Sequence, residues 1–267
     1  MTPAIFLVAL VSTALAATTN TGLQTTFPSP SGTTNLAAVK TVAAGASFDG
    51  GMKQWDRNPS TCNEQAEGGD SDAVFLLQEG AVLSNAIIGP NNGEGVHCLG
   101  ACTLNNIWWT DVCEDAATFK QKSGTSYVNG GGARNAEDKV LQHNGGGTVA
   151  VKNFYVRISS LIALLLVELT PSGQATNVGK VYRSCGNCGT QYARKSTFSN
   201  VKVSGADVIA GINGNEGDTT SISNSCVLSS ALCWLYKGND SGAEPSKTAS
   251  APDGKTCQTS AVKTSGC

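Results

Sequence analysis

A short pattern recurs along this chain: an apolar residue, any residue, an Asn, then mostly apolar residues. It appears at Leu83-Ser84-Asn85-Ala86-Ile87-Ile88, Leu104-Asn105-Asn106-Ile107-Trp108 and Val151-Lys152-Asn153-Phe154-Tyr155. It returns at Phe198-Ser199-Asn200-Val201-Lys202-Val203 and Ile222-Ser223-Asn224-Ser225-Cys226, and Val128-Asn129 reads as a weaker copy. Asn85, Asn106, Asn129 and Asn153 are spaced by 21, 23 and 24 residues, and Asn200 to Asn224 is again 24. A fixed period in the low twenties built from short apolar runs and polar turns defines a solenoid, whose stacked coils bury one continuous core. An Asn at the same place in each turn can bond to the turns above and below, as side-chain ladders do in stacked β structures. The Leu-x-x-Leu-x-Leu pattern of the leucine-rich solenoid is absent. With 31 glycines and only 6% aromatic residues, the composition suits a turn-rich β architecture. The expected fold is all-β: a right-handed, single-stranded parallel β-helix over residues 41–235, after an N-terminal segment 17–40 and before an irregular Gly/Ser/Thr/Lys-rich cap over 236–267.

One interval breaks the rhythm. Asn153 to Asn200 is 47 residues, nearly two periods, with no clear Asn copy between. Within it lies Ser160-Leu161-Ile162-Ala163-Leu164-Leu165-Leu166-Val167, a run without the alternation and turn residues of its surroundings. Val156–Gln174 reads as a translated intron. Val-Arg, Glu-Leu-Thr and Gln can encode a donor, a fungal-type branch sequence and an acceptor, and 19 residues correspond to 57 nucleotides. Its removal would shorten the interval to 28, one coil plus a loop.

Residues 1–16 read as a secretory signal, with an apolar core from Ile5 to Val11 and a small-x-small cleavage site at Ala14-Leu15-Ala16. The apolar run is too short to span a bilayer, which takes about 20 residues. Ten cysteines agree with export and point to disulfides. Cys185-Gly-Asn-Cys188 has no second such pair and no suitably spaced His, so a structural bridge is favoured over zinc. Asn239-Asp240-Ser241 is an N-glycosylation sequon. The net charge of −2 provides no field for nucleic acid or any other polyanion, so an anionic ligand would need a local patch or a metal.

Charge is concentrated locally. Only 18 basic and 20 acidic residues occur, yet Asp111, Glu114 and Asp115 fall within five positions beside Trp108-Trp109, with Lys120 following. Converging carboxylates are what a hard cation such as Ca2+ requires.

Several separate motifs, in order, resemble polysaccharide lyase family 3, the fungal and bacterial pectate lyases. They are Gly95-Val96-His97-Cys98, Trp108 to Lys120, Ala136-Glu137-Asp138-Lys139-Val140-Leu141-Gln142-His143-Asn144-Gly145 and Val181-Tyr182-Arg183-Ser184-Cys185-Gly186-Asn187-Cys188. The likeness covers about Thr41 to Val227 and reaches Gly242-Ala243-Glu244-Pro245. The family runs from Asn-Phe-Tyr to Gly-Lys-x-Tyr-Arg-Ser-Cys with few residues between, a form restored by joining Tyr155 to Ala175.

The resemblance implies calcium-dependent β-elimination on polygalacturonate by a secreted enzyme, expected as a monomer, that binds neither nucleic acid nor, once its signal is cleaved, membrane. By match to the family, Glu94, Glu114, Asp115 and Asp138 are the expected metal residues, with Glu94 standing where an Asp is usual. Lys139 is the expected base, its pKa depressed by neighbouring cations, and Arg183 the carboxylate clamp or alternative base. An alkaline optimum would follow. Lys120, Lys180 and Glu67 are expected to bind substrate. Asp70-Ser71-Asp72 replaces a lysine frequent in the family, and His97 and His143 are expected to be structural. The competing readings are a pectin hydrolase, disfavoured by the lack of an Asp-Asp pair, and a non-catalytic pectate-binding protein.

Overall fold

The computed structural model describes residues 22–157, 179–228 and 230–267. The signal segment 1–16 lies outside them. The described chain is a parallel β-helix made of two sheets, of 12 and nine strands. On one face, Lys40–Val42, Phe75–Leu77, Val96–Cys98, Asp115–Phe119, Lys139–His143, Lys180–Ser184, Val208–Asn213 and Ala231–Lys237 stack in parallel, one from each successive coil. The other sheet runs from Thr33–Leu36 through Ser47–Arg57, Val82–Ile88, Thr103–Trp109, Thr125–Arg134, Gly147–Lys152, Arg194–Ser199 and Thr219–Ser223 to Cys257–Ser260. A further row, Tyr155–Arg157, Lys202–Ser204 and Cys226–Leu228, continues the bent ends of its long strands.

The bend is the recurring Asn. Asn85, Asn106, Asn153, Asn200 and Asn224 all take positive φ, between 49° and 57°. This left-handed conformation strains most L-residues but is accessible to Asn. The turned side chains form the expected ladder: Asn106 Nδ2 donates to Asn85 Oδ1 at 2.9 Å, and Asn200 Nδ2 to Asn153 Oδ1 at 2.8 Å. Asn129 is not a copy of this corner. It lies level with Asn105 and donates to its Oδ1 at 3.0 Å, in a second column one residue ahead. The corner of that coil is Gly130, at φ 73°, because glycine meets the same backbone demand without an amide.

The 47-residue interval is a single coil. Gly147–Lys152 pairs residue for residue with Arg194–Ser199, and Lys139–His143 with Lys180–Ser184. Its extra length lies between Arg157 and Gly179. Val156 and Arg157 are regular strand, paired with Ala133 and Arg134 on one side and Val203 and Ser204 on the other. The remainder of the suspected insertion, 158–174, lies outside the described residues.

The core is the column enclosed by the faces, with Phe75, Leu77, Phe119, Tyr182 and Phe198 fully buried. Phe119, His143, Tyr182 and Phe198 stack edge to face at centroid distances of 6.3, 6.0 and 6.0 Å. Burial pushes the His143 imidazole down to about 4, so it stays neutral and structural. Thr33–Leu36 already belongs to the first coil, paired with Gln54 to Arg57. The tail expected to be irregular contributes two strands, Ser246–Ala251 antiparallel to Ala231–Lys237 and Cys257–Ser260 parallel to Thr219–Ser223. All ten cysteines are bridged: Cys62–Cys113, Cys98–Cys102, Cys185–Cys188, Cys226–Cys267 and Cys233–Cys257.

The corner predicts an ordered pair of losses. Asn200→Ala removes a ladder bond and leaves at positive φ a residue without the polar side chain that makes this conformation accessible to Asn, which should cost about 2 kcal/mol in urea unfolding. Asn200→Gly keeps the conformation and should cost roughly half as much.

Candidate active site

The site follows from register. Lys139 stands directly opposite Asp115 in the preceding coil and Lys180 in the next, and each is the first residue of its strand. Val96 pairs with Ala117, so Glu94, two residues earlier, enters level with Asp115. Parallel strands about 4.8 Å apart therefore align Glu94, Asp115, Lys139 and Lys180 in one row along the solenoid. Gly95, at φ 56°, lets Val96–Cys98 close onto the next coil, since a Cβ there would lie 2.1 Å from the Ala116 carbonyl oxygen.

Glu67 arrives from outside the row, on the loop between Arg57 and Asp70. The Cys62–Cys113 disulfide ties this loop to the residue preceding Glu114, and Gln65 Nε2 donates to the Cys113 carbonyl at 2.6 Å. Oxygens of Glu67, Glu94 and Glu114 consequently lie within 4.8 Å of one another. Glu67 thus joins the acidic cluster rather than a separate substrate contact. Asp138, expected to help hold metal or to position Lys139, bridges two lysines, 2.8 Å from Lys139 Nζ and 2.7 Å from Lys180 Nζ.

Lys139 is buried among carboxylates. Its Nζ lies 2.5 Å from Glu114, 2.8 Å from Asp138, and 3.7 Å from both Asp115 and Glu67. Burial works to lower its pKa, but Asp115, Glu114 and Asp138 outweigh it and hold the ammonium above the ordinary lysine range. This reverses the expectation of a depressed lysine: in the metal-free protein its neighbours are predominantly acids. Burial raises the carboxyls of Glu114 and, more strongly, Asp115, despite Lys139. Glu114 Oε2 and Asp115 Oδ1 are buried with no hydrogen-bond partner. Asp138 is held below the usual carboxylate range, because Lys139 and Lys180 outweigh its burial.

Arg183 has different company. Its buried guanidinium lies 3.0 Å from Asn213 Oδ1 and 3.9 Å above the Tyr236 ring, and it forms no ion pair among the described residues. Burial lowers its pKa, yet arginine remains charged. Arg183, Lys139 and Lys180 line one cleft of about 480 Å³, bounded by Glu67, Trp234, Tyr236 and Glu244. Lys120, by contrast, is tied to Asp70 at 2.7 Å. His97 spans Asp70 and Glu94, with ring nitrogens 2.7 and 2.9 Å from their oxygens, and thereby orients Glu94. Sequence reasoning gave no role to Tyr236 or Asn213 and paired no residue with His97. The tail motif Gly242 to Pro245 was a signal that this region returns to the site.

The described chain is thus a parallel β-helix with one lateral cleft, lined by three cations and by Glu67 of the acidic cluster. Comparison with known proteins narrows the class. Residues 24–162 and 170–243 match the pectate lyase family model. Pectate lyase E of Emericella nidulans is 46% identical over 233 residues, covering 86% of this chain and 83% of that protein. The catalytic domain of pectate lyase PelI from Erwinia chrysanthemi superposes with a TM-score of 0.64 at 28% identity, covering 87% of this chain and 97% of that one. PelI in complex with tetragalacturonic acid gives 0.62 at 28% identity, with 88% and 70% covered. The chain belongs to the pectate lyase family, and it is a polysaccharide lyase.

The raised carboxyls have a thermodynamic consequence. A carboxyl whose folded pKa exceeds its unfolded value stabilises the fold below the unfolded pKa, near 4, and that contribution is lost as pH rises through the folded value. In chelator, Asp115→Asn should therefore gain stability relative to the parent as pH rises above about 4, measured by urea unfolding.

Proposed function

We propose that the protein is a secreted, monomeric pectate lyase that cleaves de-esterified pectin internally by β-elimination, with Ca2+ as cofactor. The observation that carries this reading is that Lys139, caged by the acidic cluster, lines one cleft with Glu67 of that cluster and with Arg183, which has no ion pair among the described residues. The cluster fits a hard cation. Its donors are all carboxylate oxygens, and the 4.8 Å spread suits an ion with ligands at about 2.3–2.6 Å. Glu67, Glu94 and Glu114 would hold it, with the orphaned Asp115 Oδ1 completing the set. When bound, Ca2+ supplies charge that stabilises the enolate-like transition state and offsets the hold of the carboxylates on Lys139.

The chain's own groups then have defined work. Lys139, in its neutral form, takes the C5 proton of a galacturonate. The released electron pair forms the C4–C5 double bond, the C4–O4 bond breaks, and the departing oxygen is protonated from solvent. The products are a 4,5-unsaturated end and a new reducing-chain fragment. Arg183 grips the substrate carboxylate, for which its planar donors are suited, while Tyr236 and Asn213 hold it in place. Asp138 fixes Lys139 beside Lys180. The tetragalacturonic acid bound by PelI is the same class of ligand. We assign 158–174 to unspliced sequence; Val156 and Arg157, the first two residues of the expected insertion, are regular strand. Residues 163–169, which fall inside it, are those that the family match omits.

Four experiments test this reading. Incubation with polygalacturonate should yield ultraviolet-absorbing unsaturated product that chelator abolishes. Lys139→Ala should lower kcat by about 10²–10⁴, whereas Glu114→Gln should weaken Ca2+ binding in calorimetry. Hydrolysis products without ultraviolet absorbance would favour a hydrolase, and unchanged chain length a binding protein. Recovery of the tryptic peptide 158–180 from secreted protein would refute the splicing assignment.

A further inference from the structure

The far end of the cleft carries a second arrangement like that of Arg183. Trp234 and Tyr236 are two apart on the strand Ala231–Lys237, so they project from the same face, about 6.6 Å apart along the chain. Both line the cleft. Each ring carries a cation: Arg183 lies 3.9 Å from the Tyr236 centroid, and Lys247 Nζ lies 3.6 Å from that of Trp234. Lys247 belongs to Ser246–Ala251, where it pairs with Tyr236 and reaches diagonally to Trp234. The remaining lysines of the site already have acidic partners: Lys139 is caged, Lys180 is bonded to Asp138, and Lys120 to Asp70. Among the described residues, Lys247 has no ion pair within 4.0 Å, and its ammonium is held against a ring.

The sheet register gives the distance from the reaction site. Gln142, Arg183, Gly211 and Trp234 align across four successive strands. Trp234 is therefore two strands beyond Arg183, about 10 Å along the solenoid. Every residue of a polygalacturonate chain bears a carboxylate, so a chain gripped at Arg183 presents another one further along the groove. A ring-stacked ammonium prepositioned there loses little freedom on binding it.

We infer that Lys247, seated on Trp234, is a carboxylate-binding position for a galacturonate residue remote from the bond being cleaved. Trp234 lines the cleft and is the apolar platform that holds the exposed Lys247 ammonium at its edge. The inference rests on the pectate reading above. It makes the enzyme favour substrates long enough to reach this end and carrying a free carboxylate there.

Steady-state kinetics of Lys247→Gln and Trp234→Phe test it, with Lys195→Gln, an exposed strand position on the other sheet, as the charge control. Lys247→Gln should raise KM on polygalacturonate roughly threefold to tenfold. The effect on kcat should be smaller, and the increase should vanish on trigalacturonate. Trp234→Phe, which keeps a ring, should give a partial effect in the same direction. Lys195→Gln should match the parent. A KM for Lys247→Gln within twofold of the parent on the polymer, or an equal increase on polymer and trimer, overturns the inference. Absence of unsaturated product from the parent enzyme would instead remove the pectate reading itself.

Discussion

The corner residue in left-handed conformation governs this molecule. It turns the chain at the same level in successive coils, and where two Asn corners meet, as at Asn85–Asn106 and Asn153–Asn200, their amides bond to one another, which holds the strands in register. A slip of one residue would invert every side chain between core and surface. In register, residues far apart in sequence become neighbours across one strand spacing. Glu94, Asp115, Lys139 and Lys180 are separated by 21, 24 and 41 residues, yet they form a single row. The site is thus a property of the stacking, to which one disulfide-anchored loop adds Glu67.

Placing that much charge in a buried row requires compensation. In the metal-free protein Lys139 supplies it, shared among four carboxylates, but the balance is incomplete. Burial still raises Glu114 and Asp115, and one oxygen of each accepts no hydrogen bond. The same carboxylates therefore serve either an ammonium or a cation. Arg183 stands outside this competition. Its partners are an amide oxygen and an aromatic face, which position the guanidinium without neutralising it. On the proposed function, one end of the cleft would serve a metal and a proton acceptor, and the other the anionic groups of a polymer.

The fold was legible because the left-handed corner tolerates so few side chains that Asn recurs at it. Where Gly130 satisfies the same backbone demand, the rhythm misleads, and Asn129 is mistaken for a corner that lies one residue later. The long interval was visible as broken rhythm, but only strand pairing shows that 47 residues make one coil. The acidic pair Glu114-Asp115 and the cations Lys139 and Arg183 were readable from local motifs. Glu67 in the acidic cluster was not, because a disulfide across 51 residues brings it there. Nor was the caging of Lys139, which depends on which charges the register places opposite it. Asp70 holding Lys120, and Tyr236 beneath Arg183, are likewise long-range contacts that leave no periodic trace.

The central claim is that the acidic cluster is a Ca2+ site whose ion displaces Lys139 as the counter-charge. A crystal structure of the protein soaked in Ca2+ tests this most directly. The account predicts one ion within about 2.3–2.6 Å of oxygens from Glu67, Glu94 and Glu114, with Lys139 Nζ moved away from Glu114. An ion bound elsewhere, or no ion and Lys139 still on Glu114 at saturating Ca2+, would contradict it.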